Sequence, residues 1–328
     1  MLRGIVIDSL DPTLNLAIEE YLFNTLSPHE PGWFLLWRNG PSIIVGRHQN
    51  TAQEVHQELV RQWRLPVVRR VTGGGAVYHD AGNLNFSFLQ PQAGGGPLDF
   101  GIFLRPIVDT LAALGVTAAF SSRNDLTVGG RKISGSAQLR RAQGVLHHGT
   151  LLVDLDLDRL GAVLAGSPDK YQSKGIASLR SRVANLVEVL PPGVGMDELQ
   201  AALLRRCAGE CVSLPGETLR AATRLAEEKY RCWEWNYGAS PAFTETRRRR
   251  FPWGVVECCL EVRRGNVTAC RIYGDYFAQR DTAELEARMV GVRADEAALR
   301  AALHGMPWDA YFSGCDGEDV CDLLCRPS

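Results

Sequence analysis

The sequence predicts an α+β chain, with a large mixed-sheet domain followed by a small α+β domain. Strand-length apolar runs and amphipathic helical stretches are mixed without regular βαβ alternation. A length of 328 residues at 45% hydrophobic content suits one large core and one small one. Gly238-Ala239-Ser240-Pro241 breaks the pattern and reads as a linker, so the domains are expected at 1–245 and 246–328.

The first strand is expected over 4–8. Asp11-Pro12 then opens a helix that carries Leu14, Ala17, Ile18, Tyr21 and Leu22 at helical spacing. Trp33 to Arg38 and Ser42 to Arg47 flank Asn39-Gly40-Pro41 and read as a hairpin. A helix over 53–63 precedes strands at 66–70, 76–80 and 83–89. Asp99 to Leu114 is an amphipathic helix stopped by Gly115, and β-like runs follow near 117–121, 125–128, 131–138 and 145–153. Helices are predicted at 156–164, 196–207 and 216–230, with a long loop over 165–185. In the small domain, strands from Gly254 to Val262 and Val267 to Tyr273 turn at Arg264-Gly265-Asn266. Helices at 281–289 and 294–304 close the chain.

A net charge of -1 argues against nucleic acid or a membrane surface as partner. No apolar run reaches the roughly 18 residues of a membrane helix, and the opening segment lacks the pattern of a signal peptide. A cytoplasmic protein is expected. All nine cysteines lie at or beyond Cys207. The spacing of Cys315, Cys321 and Cys325 does not fit zinc, so reduced, partly buried thiols are the default reading. Only four lysines, Lys132, Lys170, Lys174 and Lys229, stand among 36 basic residues, so a retained lysine hints that an ammonium is needed.

Three segments carry candidate chemistry. In Arg69-Arg70-Val71-Thr72-Gly73-Gly74-Gly75-Ala76-Val77-Tyr78-His79-Asp80, three glycines between strands bring backbone N–H groups close to a ligand, with guanidinium groups beside them. Taken alone, the loop also reads as a flexible turn. No Walker loop, dinucleotide fingerprint or serine-hydrolase elbow occurs. The nearby cation is assigned to Lys132, on a strand after the Gly129-Gly130 turn and flanked by small residues; the plainer reading is a solvated Arg-Lys pair. His147 and His148 alternate across a strand, so only one can face a site.

These segments resemble the lipoate–protein ligase family over nearly the whole chain. The family pattern RR-x-[ST]-GGG-A-V-x-HD-x-GN is matched at Arg69 to Asn83 and NDL…GRK-[IV]-SGSA at Asn124 to Ala137. HHGTLL falls at His147 to Leu152, and KGI-x-S-x-RSRV-x-NL at Lys174 to Leu186. Asn15-Leu16-Ala17 with Glu19-Glu20, Trp37-Arg38-Asn39 with Val45-Gly46-Arg47, and Trp233 to Gly238 with Pro241-Ala242-Phe243 also fit. The resemblance implies a biotin/lipoate ligase-like catalytic domain and a small accessory domain. It implies that ATP converts lipoate to lipoyl-adenylate and that a carrier lysine then takes the lipoyl group.

By the same resemblance, Lys132 contacts the lipoate carboxyl end and the phosphate and is the catalytic residue. Arg70, Gly75, Ala76, Val77 and Tyr78 hold the nucleotide. His79, Asn83, Ala137 and His148 line the lipoyl pocket, and the Lys174 loop folds over the adenylate. Mg²⁺ is implied with ATP; Asn124 and Asp125 are its possible neighbours, with the ligands unassigned. No tightly bound cofactor is expected. The implied partners are lipoyl domains of 2-oxoacid dehydrogenase components and the glycine-cleavage H protein, met by a monomer. Two other readings stand beside the ligase: an acyltransferase using a carrier-bound or pre-activated acyl group, and a non-catalytic lipoate or carrier binder. The run Arg247 to Arg250 reads either as a surface for an acidic carrier or as a solvated strand start.

Overall fold

The computed structural model describes residues 1–91, 99–121, 124–164, 181–237 and 245–325. Lys174 and the expected linker at 238–241 lie outside the described residues. The chain forms two compact units. The first holds Met1–Val45, Thr51–Arg70 and Ala76–Asn236; the second holds Gly46–Asn50, Val71–Gly75 and Tyr237–Ser328.

The first unit runs β1 (Leu2–Ile7), α1 (Pro12–Asn24), β2 (Trp33–Trp37), β3 (Ser42–Val45), α2 (Thr51–Glu54), α3 (Gln57–Gln62), β4 (Val67–Arg69), β5 (Val77–His79) and β6 (Asn83–Pro91). It continues with α4 (Gly101–Ala113), β7 (Ala119–Phe120), β8 (Asp125–Val128), β9 (Arg131–Arg141), β10 (Gly144–Leu152), α5 (Leu157–Val163), α6 (Met196–Cys207), β11 (Ala208–Cys211), α7 (Gly216–Leu225) and α8 (Trp233–Asn236). An eight-stranded sheet has the order β11-β1-β2-β6-β10-β9-β8-β7 and a three-stranded sheet the order β4-β3-β5. The larger sheet is mixed, because β1 pairs in parallel with both β2 and β11 while β2 and β6 are antiparallel.

The start of α1 follows from its residues: Asp11 accepts the Thr13 N–H at 2.9 Å, and Pro12 fills the first helical position. This helix buries polar side chains together with its apolar ones, among them Asn15, Glu19 and Glu20. On β6, Asn83, Asn85 and Ser87 alternate with Leu84, Phe86 and Phe88, giving the sheet one polar interior face and one aromatic face.

The expected hairpin at 33–47 does not form. β2 pairs with β1 and β6 in the large sheet, whereas β3 pairs with β4 and β5 in the small one. Both runs are almost wholly buried, so each takes neighbours on both edges, and Asn39-Gly40-Pro41 is a crossing between sheets. Turn residues mark where the chain bends, not which sheet receives it. The short, mostly exposed β11 was also absent from the sequence reading.

On the aromatic face, His147 lies among Phe103, Phe100, Phe86 and Phe88, with ring centroids 4.9, 5.5, 6.1 and 6.3 Å away. It is fully buried and neither ring nitrogen has a hydrogen-bond partner. Burial, with the charge of His148 second, holds its pKa well below 6.5. The folded state therefore keeps His147 neutral. Above pH 6.5 neither state protonates and stability is full. As pH falls below 6.5 the unfolded chain takes up the proton first, and stability drops by about 1.4 kcal/mol per pH unit. His79, also buried and pushed down to about 3, acts with the same sign. His147→Phe is expected to remove roughly half of the combined slope of the two histidines between pH 6.5 and 5, read by urea unfolding. A variant with the wild-type slope would contradict the assignment.

The second unit contains β12 (Glu245–Phe251), β13 (Gly254–Arg263) and β14 (Asn266–Gly274) in one antiparallel sheet, with α9 (Ala283–Met289), α10 (Glu296–Ala302), α11 (Trp308–Tyr311) and α12 (Gly317–Cys325). Arg264 at φ 49° and Gly265 at φ 78° form the expected turn between β13 and β14. The chain does not close at residue 304. α11 is too short to show a period, and the buried stripe of α12 is written as Val320, Cys321, Leu324 and Cys325, with thiols serving as core residues. All nine cysteines are free thiols. The arginine run lies on β12. Arg247 is buried and bonded to Glu245 at 2.7 Å and to the Leu324 carbonyl, while Arg248, Arg249 and Arg250 are exposed. Arg248 pairs with Glu257 at 3.2 Å and Arg249 with Asp319 at 3.7 Å.

Candidate active site

Two buried hydrogen-bond chains shape the polar face of the large sheet. Asn15 Nδ2 donates to Asn39 Oδ1 at 2.9 Å, which fixes the Asn39 amide so that its Nδ2 meets His79 Nδ1 at 3.0 Å. Nδ1 is then the acceptor, and neutral His79 carries its proton on Nε2, a buried donor with no partner. Desolvation, with the charges of Arg70 and His148, keeps this ring neutral. The second chain runs from Trp37 Nε1 to Ser87 Oγ at 2.9 Å and from Ser87 Oγ to Glu19 Oε1 at 2.5 Å. The Glu19 carboxylate meets His148 Nδ1 at 2.9 Å. Ala137 lies directly opposite His148 in the β9–β10 ladder. Asn83 is buried, donates to Asn85 Oδ1 at 3.0 Å, and leaves its own Oδ1 without a partner.

Arg70 is buried just beyond the end of β4. One guanidinium nitrogen donates to the Ile44 carbonyl at 3.3 Å. Desolvation lowers its pKa to about 10, against the opposing charge of Glu19. Arg70, His79, His148 and Glu19 thus form one electrostatic group, with Ala137 and Asn83 on the strands around it.

Lys132 sits near the start of β9. Its backbone is held on the far side by the 182–184 segment, through Lys132 N–H to Arg182 O at 2.7 Å and Ala184 N–H to Lys132 O at 2.9 Å. Its ammonium pairs with Asp125 at 2.8 Å, and the side chain is 41% exposed, open to a ligand. A Cβ on Gly135 would lie 2.9 Å from the Lys132 Nζ, so that glycine is what lets the lysine lie along its own strand. Gly135 and Ala137 share a strand face, and two residues of strand rise separate them by about 7 Å. The ammonium and His148 therefore lie toward opposite ends of one track on this face.

The glycines divide by role. In the second unit, a Cβ on Gly73 would overlap the Tyr276 carbonyl oxygen. Gly74 has φ 91° and donates its N–H to the same oxygen at 3.4 Å. The 46–50 segment is held alongside: His48 stacks on Tyr276 at 4.7 Å, its carbonyl accepts the Gly274 N–H at 2.6 Å, and Arg47 pairs with Asp281 at 2.5 Å. Gly75 is exposed, and nothing lies within 4 Å of where its Cβ would sit. In the first unit, Ala76 and Val77 are half-buried, whereas Tyr78 is 1% exposed and pairs with Ile43 of β3. Arg69 points away from Arg70 and bonds to α8.

Sequence reasoning passed over the roles of Glu19, Asn39, Trp37 and Ser87. The usable signal was polar residues in otherwise buried elements: Asn15 and Glu19 in α1, and Ser87 in β6.

Residues 11–208 match the lipoyl protein ligase A/B catalytic domain, and 240–324 match the bacterial lipoate protein ligase C-terminus. The chain belongs to the lipoate–protein ligase family. It is an enzyme of that class, similar to the lipoate-protein ligase LplJ of Bacillus subtilis at 40% identity over 321 residues, which is 96% of this chain and 97% of the relative. Among solved structures, a lipoate-protein ligase A bound with ATP superimposes with TM-score 0.64 at 28% identity, covering 73% of this chain and 99% of that one. Plasmodium falciparum LipL1, solved in complex with lipoate, shares the fold at TM-score 0.78 and 24% identity, over 98% of this chain and 97% of that one. The mixed α+β architecture expected of a lipoate–protein ligase is the one observed.

Proposed function

We propose that this lipoate–protein ligase activates lipoate with ATP to lipoyl-adenylate and pyrophosphate, then transfers the lipoyl group to a lysine of a carrier lipoyl domain. The observation that carries the reading is the placement of Lys132: a half-open ammonium at one end of the Gly135–Ala137 track, with the Glu19–His148 pair toward the other. An ammonium there neutralises charge on the acyl oxygen and the α-phosphate as the carboxylate attacks phosphorus, displacing pyrophosphate. Arg70 and the backbone of Gly75 to Tyr78 hold the nucleotide. The His79 Nε2–H and Asn83 Oδ1 are two buried groups still able to bond to a ligand, and with Ala137 and His148 they are read as the lipoyl side. Lys174 is proposed to cover the adenylate.

Among the described residues, no group of three His, Cys, Asp or Glu side chains could hold a metal. The Mg²⁺ of the reaction is accordingly read as arriving with ATP, where phosphate oxygens supply most of its ligands. Asp125, which pairs with the Lys132 ammonium at 2.8 Å, and Asn124 beside it are proposed as the ion's neighbours on the protein. The carrier is a lipoyl domain of a 2-oxoacid dehydrogenase component or the glycine-cleavage H protein.

Cysteine geometry weighs against the acyltransferase alternative. The thiol of Cys211 lies on β11, five strand spacings from β9, or roughly 24 Å. Burial pushes the Cys207 thiol up to about 12, and Cys232 donates to the carbonyls of Glu227 and Glu228. Cys211 is thus too far from Lys132 to be its thioester nucleophile, and the thiols of Cys207 and Cys232 are held in the protonated form or bonded to main chain. The test is lipoate-dependent exchange of pyrophosphate into ATP by the pure protein. Exchange is expected; its absence would favour the transferase.

A further inference from the structure

Arg69 is more heavily bonded than a residue that merely precedes a functional arginine needs to be. It is 6% exposed. β4 is an edge strand three residues long, with a partner only on the β3 side. The N–H and C=O of Arg69 face the open edge, where an ordinary strand would leave them to water. Here α8 replaces the missing neighbour. Asn236 Oδ1 accepts the Arg69 N–H at 2.9 Å, and Trp235 Nε1 donates to the Arg69 carbonyl at 2.7 Å.

The guanidinium then reaches across the same helix. Its Nε donates to Trp235 O at 2.9 Å, and an Nη donates to Asn236 O at 3.0 Å and Thr51 Oγ1 at 2.7 Å. The helix end is itself fixed: Thr51 Oγ1 donates to Asn236 O at 2.6 Å, Asn236 Nδ2 donates to Tyr230 O at 2.7 Å, and the Lys229 ammonium sits 3.9 Å over the Trp235 ring. Helix-terminal carbonyls are natural acceptors for a planar cation, and a fork that serves two of them plus a hydroxyl cannot be replaced by an ammonium. The next residue is Arg70. Successive side chains leave a strand on opposite sides, so the bonds that draw Arg69 toward α8 set the direction in which Arg70 leaves toward Ile44 and Glu19.

We propose that Arg69 is a positioning residue for ATP: by tying β4 to α8 it fixes the backbone from which Arg70 meets the nucleotide. This rests on the nucleotide-binding reading of Arg70 given above. The clasp acts on nucleotide affinity and leaves the lipoyl end alone.

The test uses the full chain in lipoate-dependent ATP–pyrophosphate exchange. Arg69→Lys keeps the charge and loses the fork; it is expected to raise the KM for ATP at least tenfold. Trp235→Phe keeps the ring and loses one donor; it is expected to raise that KM several-fold, and it keeps the proposal testable if Arg69→Lys folds poorly. In both variants kcat at saturating ATP and the KM for lipoate should stay within about twofold of wild type. A residue that only stabilises the fold would instead lower kcat through loss of active protein and leave the KM for ATP unmoved, and that result would overturn the proposal. Arg70→Ala separates the two levels. If it raises the KM for ATP while the clasp variants do not, the clasp alone is refuted. If it does not raise it, the nucleotide role of Arg70 fails and the clasp proposal fails with it.

Discussion

Lys132→Ala is expected to abolish both half-reactions, by a factor of 10³ or more, while the protein still folds. Removing a single preorganised donor to developing charge already costs about 10² to 10³ in rate. Lys132 is proposed to serve the phosphate during activation and the acyl oxygen during transfer. The fold is expected to survive because the side chain is 41% exposed and its pairing with Asp125 is the kind of half-open ion pair worth at most about 1 kcal/mol. Lys132→Arg should fail nearly as completely. The lysine reaches its position by lying over Gly135, where a Cβ would come within 2.9 Å of Nζ, and a planar fork cannot present a compact point charge at the same place. The measurements are pyrophosphate exchange, lipoyl transfer from preformed lipoyl-adenylate, and thermal unfolding of each variant. Wild-type turnover by the arginine variant would sink this account.

Substituting the glycines one at a time should separate packing from ligand binding. Gly73→Ala is expected to destabilise the protein by about 3 kcal/mol, since its Cβ meets the fixed main chain of Tyr276 and well-packed sites absorb extra atoms poorly. Gly75→Ala should leave the unfolding midpoint in urea unchanged, because no described residue occupies the space its Cβ would enter. If that space receives the nucleotide, the same variant should raise the KM for ATP about tenfold. Equal destabilisation by both substitutions, or an unmoved KM in Gly75→Ala, would refute this division.

Much of the architecture was legible because its signals are local. Asp11-Pro12 announces α1, and Arg264-Gly265 marks the turn between β13 and β14. Sheet membership was not legible, as β2 and β3 show: two buried apolar runs around a turn look the same whether they pair with each other or with distant strands. At the site, the residue types of the glycine segment, Lys132 and His148 carried the resemblance. The partners that orient them did not stand out, because hydrogen bonds such as Asn39 to His79 and Glu19 to His148 join residues 40 and 129 positions apart. Arg69 and Arg70 are identical in type and adjacent in sequence; only strand alternation, read against what lies on each side of β4, tells them apart.

The scarcity of lysine acquires a further meaning once the products are considered. The acyl-adenylate proposed above reacts with amines, and the enzyme proposed to make it would be the protein nearest to it. A guanidinium offers no free lone pair at neutral pH, so a surface whose cations are almost all arginine gives a stray acyl group little to attack. The two lysines among the described residues are both engaged, Lys132 with Asp125 and Lys229 with Glu20 at 2.7 Å. On the proposed mechanism, an arginine-rich composition would thus also protect the enzyme from modifying itself and leave the carrier's lysine as the favoured acceptor.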